Sequence, residues 1–576
     1  MIYLGISEDL FDAGVTICDA ERVLFASNEE RYTRRKDEGG FPARALESAF
    51  ASTGIGPAEV DEILYSGIAT PPVVVRAFPG LHTWLFEAKR QREDSAFKRL
   101  LDAAVFGTPA SHATADSLSR KISKPLLPFF ARRMLPGPLQ DKPKTFVEHH
   151  QAHAAGAWSL SGLPRALCIT ADGMGDGLSM TVSRCEEGHE IARLWSAPAR
   201  SSFGLFFEML TEALGFMSCR DEGKLTGLAA YGDPGKISLP SPFSMKNGRL
   251  AYAGPFGRRG VEWVRRELLP QYSREDVCAW AQYVLETHVT DITRHWLRQT
   301  GLSALVIAGG VFANVKLNQR LHEVDEVERL FVYPNMGDGG LSLGAIRAVH
   351  PAPLQPVQDV FYGEAYSEAQ IEGALRGAGV HYETVDEPER VVAELLAQGK
   401  IVARFQGRME WGPRALGNRS ILVRTSERTV VSRLNTLLDR SDFMPFAPAL
   451  LDEDAGEWLV DYAAARHTAA FMTACFKCTE RMKREHPAVV HVDGTARAQL
   501  VEETANPGFH KILDEFKHRT GSSVLLNTSF NIHEEPIVRT PEEAISTFVR
   551  AWLDYLSIGS FLVENVPAHP AAPRGM

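Results

Sequence analysis

The feature that most restricts the fold of this chain is a repeat. Residues 1–18, MIYLGISEDLFDAGVTIC, and residues 165–184, RALCITADGMGDGLSMTVSR, follow one plan: an apolar strand, a turn rich in Asp and Gly, and a second apolar strand. Short β-rich runs at Ile2–Ile6, Val15–Cys18 and Val23–Ala26, followed by a helical stretch after Pro42, give the first copy the rhythm of an α/β unit. Recurrence of that opening predicts a duplicated α/β fold. With 576 residues the chain is too long for one core, so further domains are expected.

Punctuation divides the rest. The proline-rich passage HPAPLQPVQDVFYGEAY separates a first portion, residues 1–350, from a second α/β portion that opens near VVAELLAQGKIVARFQGR. The expected plan is 1–350 with an insertion at about 71–140, a linker at 351–389, a second domain at 390–565 and a frayed tail at 566–576. The insertion carries Phe78, Trp84, Phe86, Phe97, Phe129 and Phe130, which serve either a core or a pocket for a bulky hydroxylated compound. A net charge of -10 gives no general footprint for nucleic acid. No signal-peptide pattern and no membrane-length apolar run occur, so a cytoplasmic enzyme with small-molecule substrates is expected. The seven cysteines are read as reduced thiols, since the one close pair, Cys475 and Cys478, lacks the second pair of a zinc site.

FVEHHQAHAAGAW places His149 and His153 at i and i+4, so a helix presents both rings on one face, within reach of a common metal, while His150 points elsewhere. A polar helix face or a cap accounts for such a pair as well as a metal does. A divalent first-row metal needs a carboxylate in addition, and Asp338 in LFVYPNMGDGGLSLGAI stands at a strand end where it serves as a ligand or as a helix cap. Three glycine-rich stretches flank these residues: Asp172–Gly177, Glu222–Pro234 and Val306–Asn318. None is a Walker loop or a dinucleotide fingerprint; together they point to a nucleotide held by backbone amides.

EERYTRRK, HHQAHA, EGKLTGLAAYG, AGGVFAN, GDGG, QGRMEWGPRALGNRSI, MPFAP, HVDGTARAQ and LLNTSFN occur in this order along residues 1–565. In these motifs the chain resembles the O-carbamoyltransferases of antibiotic biosynthesis and nodulation. The resemblance implies an N-terminal actin-like ATPase superfold of duplicated ribonuclease-H-like units, similar to the tRNA threonylcarbamoyl-transfer protein. It also implies a C-terminal α/β domain similar to the threonylcarbamoyl-adenylate synthase. The implied chemistry has two steps. Carbamoyl phosphate and ATP, with Mg, give carbamoyl-adenylate in the C-terminal domain, and the carbamoyl group then passes to an acceptor hydroxyl in the N-terminal domain. By resemblance His149, His153 and Asp338 are ligands of Fe(II) or another divalent first-row metal. Gly173, Gly175, Asp176, Glu222, Gly309, Gly310 and Asn314 are nucleotide candidates, and Lys224 a catalytic candidate. The implied partners are a small hydroxylated acceptor, carbamoyl phosphate and ATP, without nucleic acid or membrane, and a homodimer is left open.

In the C-terminal portion Arg414, Arg419, Arg440 and Arg497 are candidates for phosphate contacts, with Asn418, Asn527, Ser529 and Asn531 as neutral partners. Ion pairs with Glu410 or Asp493, and a turn closed by Asn527, are the plainer alternatives. Two departures from the family stand out. Relatives often read His-Asp-Ala-Ser where this chain has Phe11-Asp12-Ala13-Gly14, and Leu438 and Met444 occupy places where relatives carry basic residues. The first removes a histidine base and makes Asp12 the catalytic candidate beside an acceptor wall at Phe11. Three rivals are weighed: a nucleotide-binding scaffold without chemistry, a tRNA-modifying transferase, and a hydrogenase-maturation transferase. The last should carry an acylphosphatase-like segment and paired Cys-x-x-C fingers, which this sequence lacks.

Overall fold

The β-branched and aliphatic runs of the two repeats form the inner strands of two separate sheets. In the computed structural model, which describes residues 1–78, 82–84, 118–246, 248–440 and 446–565, the first sheet consists of β1 (Tyr3–Ser7), β2 (Gly14–Cys18), β3 (Val23–Asn28), β4 (Glu62–Ser66) and β5 (Lys144–Val147). The second consists of β6 (Arg165–Gly175), β7 (Leu178–Glu186), β8 (Ala192–Pro198), β11 (Ala304–Ala308) and β12 (Arg329–Val332), with the hairpin β9 (Phe243–Lys246) and β10 (Arg249–Tyr252) between them in sequence. The orders are β3-β2-β1-β4-β5 and β8-β7-β6-β11-β12. In both sheets the first three strands form an antiparallel meander and the last two run parallel to the first. The duplicated α/β unit that the repeat predicts is therefore present strand for strand.

Two helices between the sheets set the site. Helix α1 (His149–Ser161) follows β5, and α2 (Leu341–Val349) follows β12. They cross at glycine: a Cβ on Gly344 would lie 2.0 Å from the Ala152 carbonyl oxygen, and one on Gly156 would lie 3.1 Å from Gly344 Cα. Helix α2 is also pressed against β1, where a Cβ on Gly5 would meet the Ser342 carbonyl at 2.0 Å. This close packing brings the N-terminus of α1, with its histidines, to the turn before α2, with Asp338.

The second portion builds an eight-stranded mixed sheet from β13 (Glu383–Thr384), β14 (Val402–Phe405), β15 (Arg419–Arg424), β16 (Ala447–Leu451), β20 (Gln499–Val501), β21 (Leu525–Ser529), β22 (Tyr555–Ile558) and β23 (Phe561–Glu564), in the order β13-β23-β22-β14-β15-β21-β16-β20. A small sheet of β17 (Leu459–Val460), β18 (Phe476–Cys478) and β19 (Thr495–Ala496) lies beside it in sequence. The two portions are tied by hydrogen bonds. Arg31 Nη2 donates to the Gly412 carbonyl at 2.8 Å, Arg34 to the Ile537 and Pro536 carbonyls at 2.8 and 2.6 Å, and Arg408 to the Leu24 carbonyl at 2.7 Å.

Phe86, Phe97, Met444 and the tail 566–576 lie outside the described residues; Phe78 and Phe129 are exposed, and Phe130 is half-buried. The cysteines are free thiols, and among the described residues no helix is long and apolar enough to cross a membrane.

Candidate functional site

Glu148 caps α1, accepting from the His150 and Gln151 amides at 3.2 and 2.9 Å, and so fixes the register that puts His149 and His153 on one face. Both rings are fully buried. Facing them are Asp338 and a carboxylate that the sequence reading did not place among the ligands, Asp172, at the register shift that follows Ala171 in β6. His153 Nε2 is 3.1 Å from Asp172 Oδ2 and 3.6 Å from Asp338 Oδ1; His149 Nε2 is 3.6 Å from each of the same oxygens. One ligand atom from each of the four residues falls within 4.8 Å of the others. His150 turns away and bonds Thr170 Oγ1 at 2.8 Å.

The electrostatics are those of a cation site. Burial disfavours a charged ring, yet the Asp172 and Asp338 carboxylates outweigh it and hold His149 and His153 above the ordinary imidazole range. Asp172 is held well below the carboxylate range by the two rings against the opposing effect of burial. Burial and the Asp172 and Asp9 carboxylates push Asp338 up to about 7. Neither His149 Nε2 nor Asp338 Oδ1 has a hydrogen-bond partner among the described residues. Two imidazoles and two carboxylates, with His149 Nε2 and Asp338 Oδ1 left without partners, fit a divalent first-row metal, which would replace the protons on the two rings.

Other candidates are placed as follows. Gly175 makes room for His149, since a Cβ there would lie 2.1 Å from His149 Cδ2. Asp176 accepts from the amides of Ile68, Thr70 and His149 at 3.0, 2.9 and 2.9 Å, so its carboxylate is spent on the backbone. The amides of Gly173 and Gly310 point at Asp172, at 2.7 Å to Oδ1 and 3.2 Å to Oδ2. Gly309 adopts φ +104, where a Cβ would meet the Ala171 carbonyl at 2.1 Å. Asn314 caps the helix Val315–His322, and Glu222 accepts from the Cys219 amide at 2.6 Å. Lys224 pairs with Asp221 at 3.0 Å, and its charge reaches His533 of the other portion. Phe11 and Asp12 form the first turn. Asp12 Oδ2 accepts from the Gly339 amide at 3.1 Å, beside Asp338, and burial with the Glu30 and Asp37 charges pushes Asp12 up to about 8.

In the C-terminal portion the side chains separate into two groups. Arg419 is fully buried, stacks on Phe405 at 3.7 Å and donates to the Gln406, Asn418 and Gly407 carbonyls, while Asn418 Oδ1 accepts from Arg404 and Asn506. These two brace the loop after β14. Arg414, Arg440 and Arg497 are half-buried, and among the described residues no carboxylate pairs with any of them. Burial and the charge of Arg497 lower both Arg414 and Arg440, the latter to about 10. Arg440 donates to Thr528 Oγ1 at 2.8 Å; Asn527 donates to Gln499 Oε1 at 2.8 Å, Ser529 to Asn531 Oδ1 at 2.6 Å, and Asn531 to the Glu535 carbonyl at 2.6 Å. The plainer ion pairs are not formed: Glu410 Oε1 accepts from the Leu416, Asn418 and Arg419 amides, and Asp493 pairs with Lys316. Arg497 repels both Arg414 and Arg440, and guanidinium groups with no carboxylate partner among the described residues suit a phosphorylated anion.

The chain thus carries a His₂Asp₂ cluster in a duplicated α/β domain, joined to a second α/β domain in which Arg414, Arg440 and Arg497 have no carboxylate partner among the described residues, an arrangement suited to group transfer. The family models agree: carbamoyltransferase N-terminus matches residues 2–245 and 260–347, and carbamoyltransferase C-terminus matches residues 393–565. The chain belongs to the carbamoyltransferase family. It is 33% identical to the nodulation protein NolNO of Sinorhizobium fredii over 97% of this chain and 79% of that one. It is 30% identical to the 3'-hydroxymethylcephem-O-carbamoyltransferase of Streptomyces clavuligerus over 60% of this chain and 64% of that one. Among solved structures, component A of the Acidaminococcus fermentans (R)-2-hydroxyglutaryl-CoA dehydratase covers 61% of this chain at 14% identity and a TM-score of 0.34, with 98% of that chain matched. HypF of T. kodakarensis covers 61% of this chain and 47% of its own at 12% identity, also with a TM-score of 0.34.

Proposed function

We propose that this carbamoyltransferase is an ATP-dependent O-carbamoyltransferase acting on a hydroxyl of a small secondary metabolite. The observation that carries the reading is the presence, in one chain, of two groups of unlike chemistry: Arg414, Arg440 and Arg497, with no carboxylate partner among the described residues, and the His149, His153, Asp172 and Asp338 cluster. In the first half-reaction carbamoyl phosphate and water give carbamate and phosphate. A carbamate oxygen then attacks the α-phosphorus of Mg-ATP, the bond to the β-phosphate oxygen breaks, and pyrophosphate leaves. The triad holds these anions against their mutual repulsion. In the second, the acceptor oxygen attacks the carbamoyl carbon of the mixed anhydride, and the bond to AMP breaks with AMP as leaving group.

His149, His153, Asp172 and Asp338 would hold the divalent metal, which supplies Lewis-acid polarisation of a carbonyl oxygen. Asp12 orients the acceptor hydroxyl and takes its proton, and Phe11 contributes an apolar wall in place of the family's histidine. The named relative acts, by its name, on a hydroxymethyl group of a cephem, which supports a hydroxyl as acceptor here. The test is mass spectrometry of products formed from carbamoyl phosphate, ATP and a panel of hydroxylated macrolides, ansamycins, aminoglycosides and nucleosides, with pyrophosphate followed in parallel. Carbamoyl-phosphate-dependent pyrophosphate release and a product heavier by one carbamoyl group support the reading. No such release from metal-loaded protein rejects it.

A further inference from the structure

We propose that Lys316, from the N-terminal portion, is a positioning residue for the anion site of the C-terminal portion, acting by keeping Asp493 away from Arg497. The inference rests on reading Arg414, Arg440 and Arg497 as that site. Asp493 and Arg497 belong to one short segment, HVDGTARAQ, in which Asp493 is the sole acid. A carboxylate and a half-buried guanidinium on the same segment form a strong charge-assisted pair when geometry allows, and that pair would close Arg497 to a phosphate.

The structure satisfies Asp493 otherwise. Its Oδ2 is 2.8 Å from Lys316 Nζ, and its Oδ1 accepts from the Thr495 amide at 3.1 Å and from Thr495 Oγ1 at 2.7 Å. Lys316 also donates to Gln319 Oε1 at 2.7 Å and to Thr495 Oγ1 at 3.3 Å, so its ammonium is fully engaged on this one turn.

The helix that carries Lys316 is clamped to the C-terminal portion on both sides. The Cys475 amide donates to the Val315 carbonyl at 3.2 Å, Asn318 Nδ2 donates to the Thr473 carbonyl at 2.7 Å, His322 Nε2 donates to the Cys475 carbonyl at 3.2 Å, and Lys477 pairs with Glu323 at 3.0 Å. The ammonium is thus delivered by one portion to a fixed place in the other. Without it Asp493 keeps its charge, and its own segment offers it the His491 ring, 3.6 Å from Asp493 Oδ1, and the permanently charged guanidinium of Arg497. The anion site is therefore completed only when the two portions are docked, which confines adenylate formation to a chain whose transfer site is already in place.

The experiment compares wild type, Lys316→Met, Asp493→Asn and the double variant, each as the full chain. Carbamoyl-phosphate-dependent pyrophosphate release is measured, with metal content and thermal unfolding as controls. Lys316→Met is expected to raise KM for carbamoyl phosphate about tenfold, as loss of a charge-assisted contact at Arg497 would. Asp493→Asn in the same chain is expected to restore it, because the competing carboxylate is gone, and Asp493→Asn alone is expected to behave as wild type. Unchanged KM in Lys316→Met, a double variant as impaired as Lys316→Met, or an Asp493→Asn variant equally impaired would each overturn the inference. Absence of release in wild type would instead indict the underlying reading. Calorimetric binding of inorganic pyrophosphate to the same four proteins would then decide the inference, with weakening in Lys316→Met and recovery in the double variant as the supporting pattern and any other as the refuting one.

Discussion

Replacing Gly175 by Ala is the smallest change that should weaken metal binding at the proposed site. An added Cβ would lie 2.1, 2.3 and 2.6 Å from Cδ2, Cγ and Nε2 of His149, so the ring and the methyl group cannot share the space. The ring has little room to retreat, because it is fully buried and packs edge-on against His153, with centroids 4.8 Å apart. The backbone of Gly175 is held by its pairing with Leu178. Holding both groups in place costs about 1–3 kcal/mol of overpacking. Swinging the ring aside instead removes or misaligns one of four ligands, and disturbing ligand orientation lowers metal affinity roughly 10–100-fold. The assay strips wild type and Gly175→Ala with a chelator, reloads them anaerobically with Fe(II), and reads metal per chain by mass spectrometry and affinity by chelator competition. Gly175→Ala should bind at least about tenfold more weakly, with pyrophosphate release near wild type. Wild-type affinity and full occupancy in Gly175→Ala would refute the placement of His149 in the site.

Arg497→Ala or Arg440→Ala should lower carbamoyl-phosphate-dependent pyrophosphate release by about 10–100-fold while leaving metal content unchanged, as loss of one charged hydrogen-bonding group predicts. Glu323 is held down to about 2, against burial, by Gln319, Lys477 and Arg320, and the Lys477 pair spans the two portions. For a depressed carboxylate the stabilisation is complete above its unfolded pKa and is lost as pH falls through the folded value. Glu323→Gln should therefore cost about 1–3 kcal/mol at neutral pH, and by about pH 3 its gap from wild type in chemical unfolding should have shrunk by roughly half. A gap that does not change with pH would contradict this origin.

The duplication was legible because strand runs and Asp/Gly turns are local signals, and both sheets follow from them. His149 and His153 were legible for the same reason, since i and i+4 on a helix is local geometry. Asp172 was not singled out: its glycine-rich surroundings read as a nucleotide cradle, and its place in the cluster depends on the irregular stretch of β6 after Ala171 lying opposite Asp338. The repeat offered a clue, because the matching turn after β1 places Asp9 Oδ2 3.4 Å from His149 Nδ1. Arg419 and Arg414 stand five positions apart in one motif, and only the loop geometry shows that Arg419 is given to backbone carbonyls while Arg414 has no carboxylate partner among the described residues. Loops carry no periodicity from which side-chain direction can be read. The Lys316–Asp493 contact joins distant segments of different portions and has no local signature.

The measurement that tests the account most directly is the behaviour of the two half-reactions in His153→Ala. His153 Nε2 lies 3.1 Å from Asp172 and 3.6 Å from Asp338, and the ring has no place in the arginine triad. Metal per chain, pyrophosphate released with carbamoyl phosphate and ATP, and carbamoylated acceptor are read on one preparation. The account predicts that metal and carbamoylated product are lost together while pyrophosphate release persists. Loss of pyrophosphate release in step with the metal, from folded protein, would contradict the division of the chemistry between two sites.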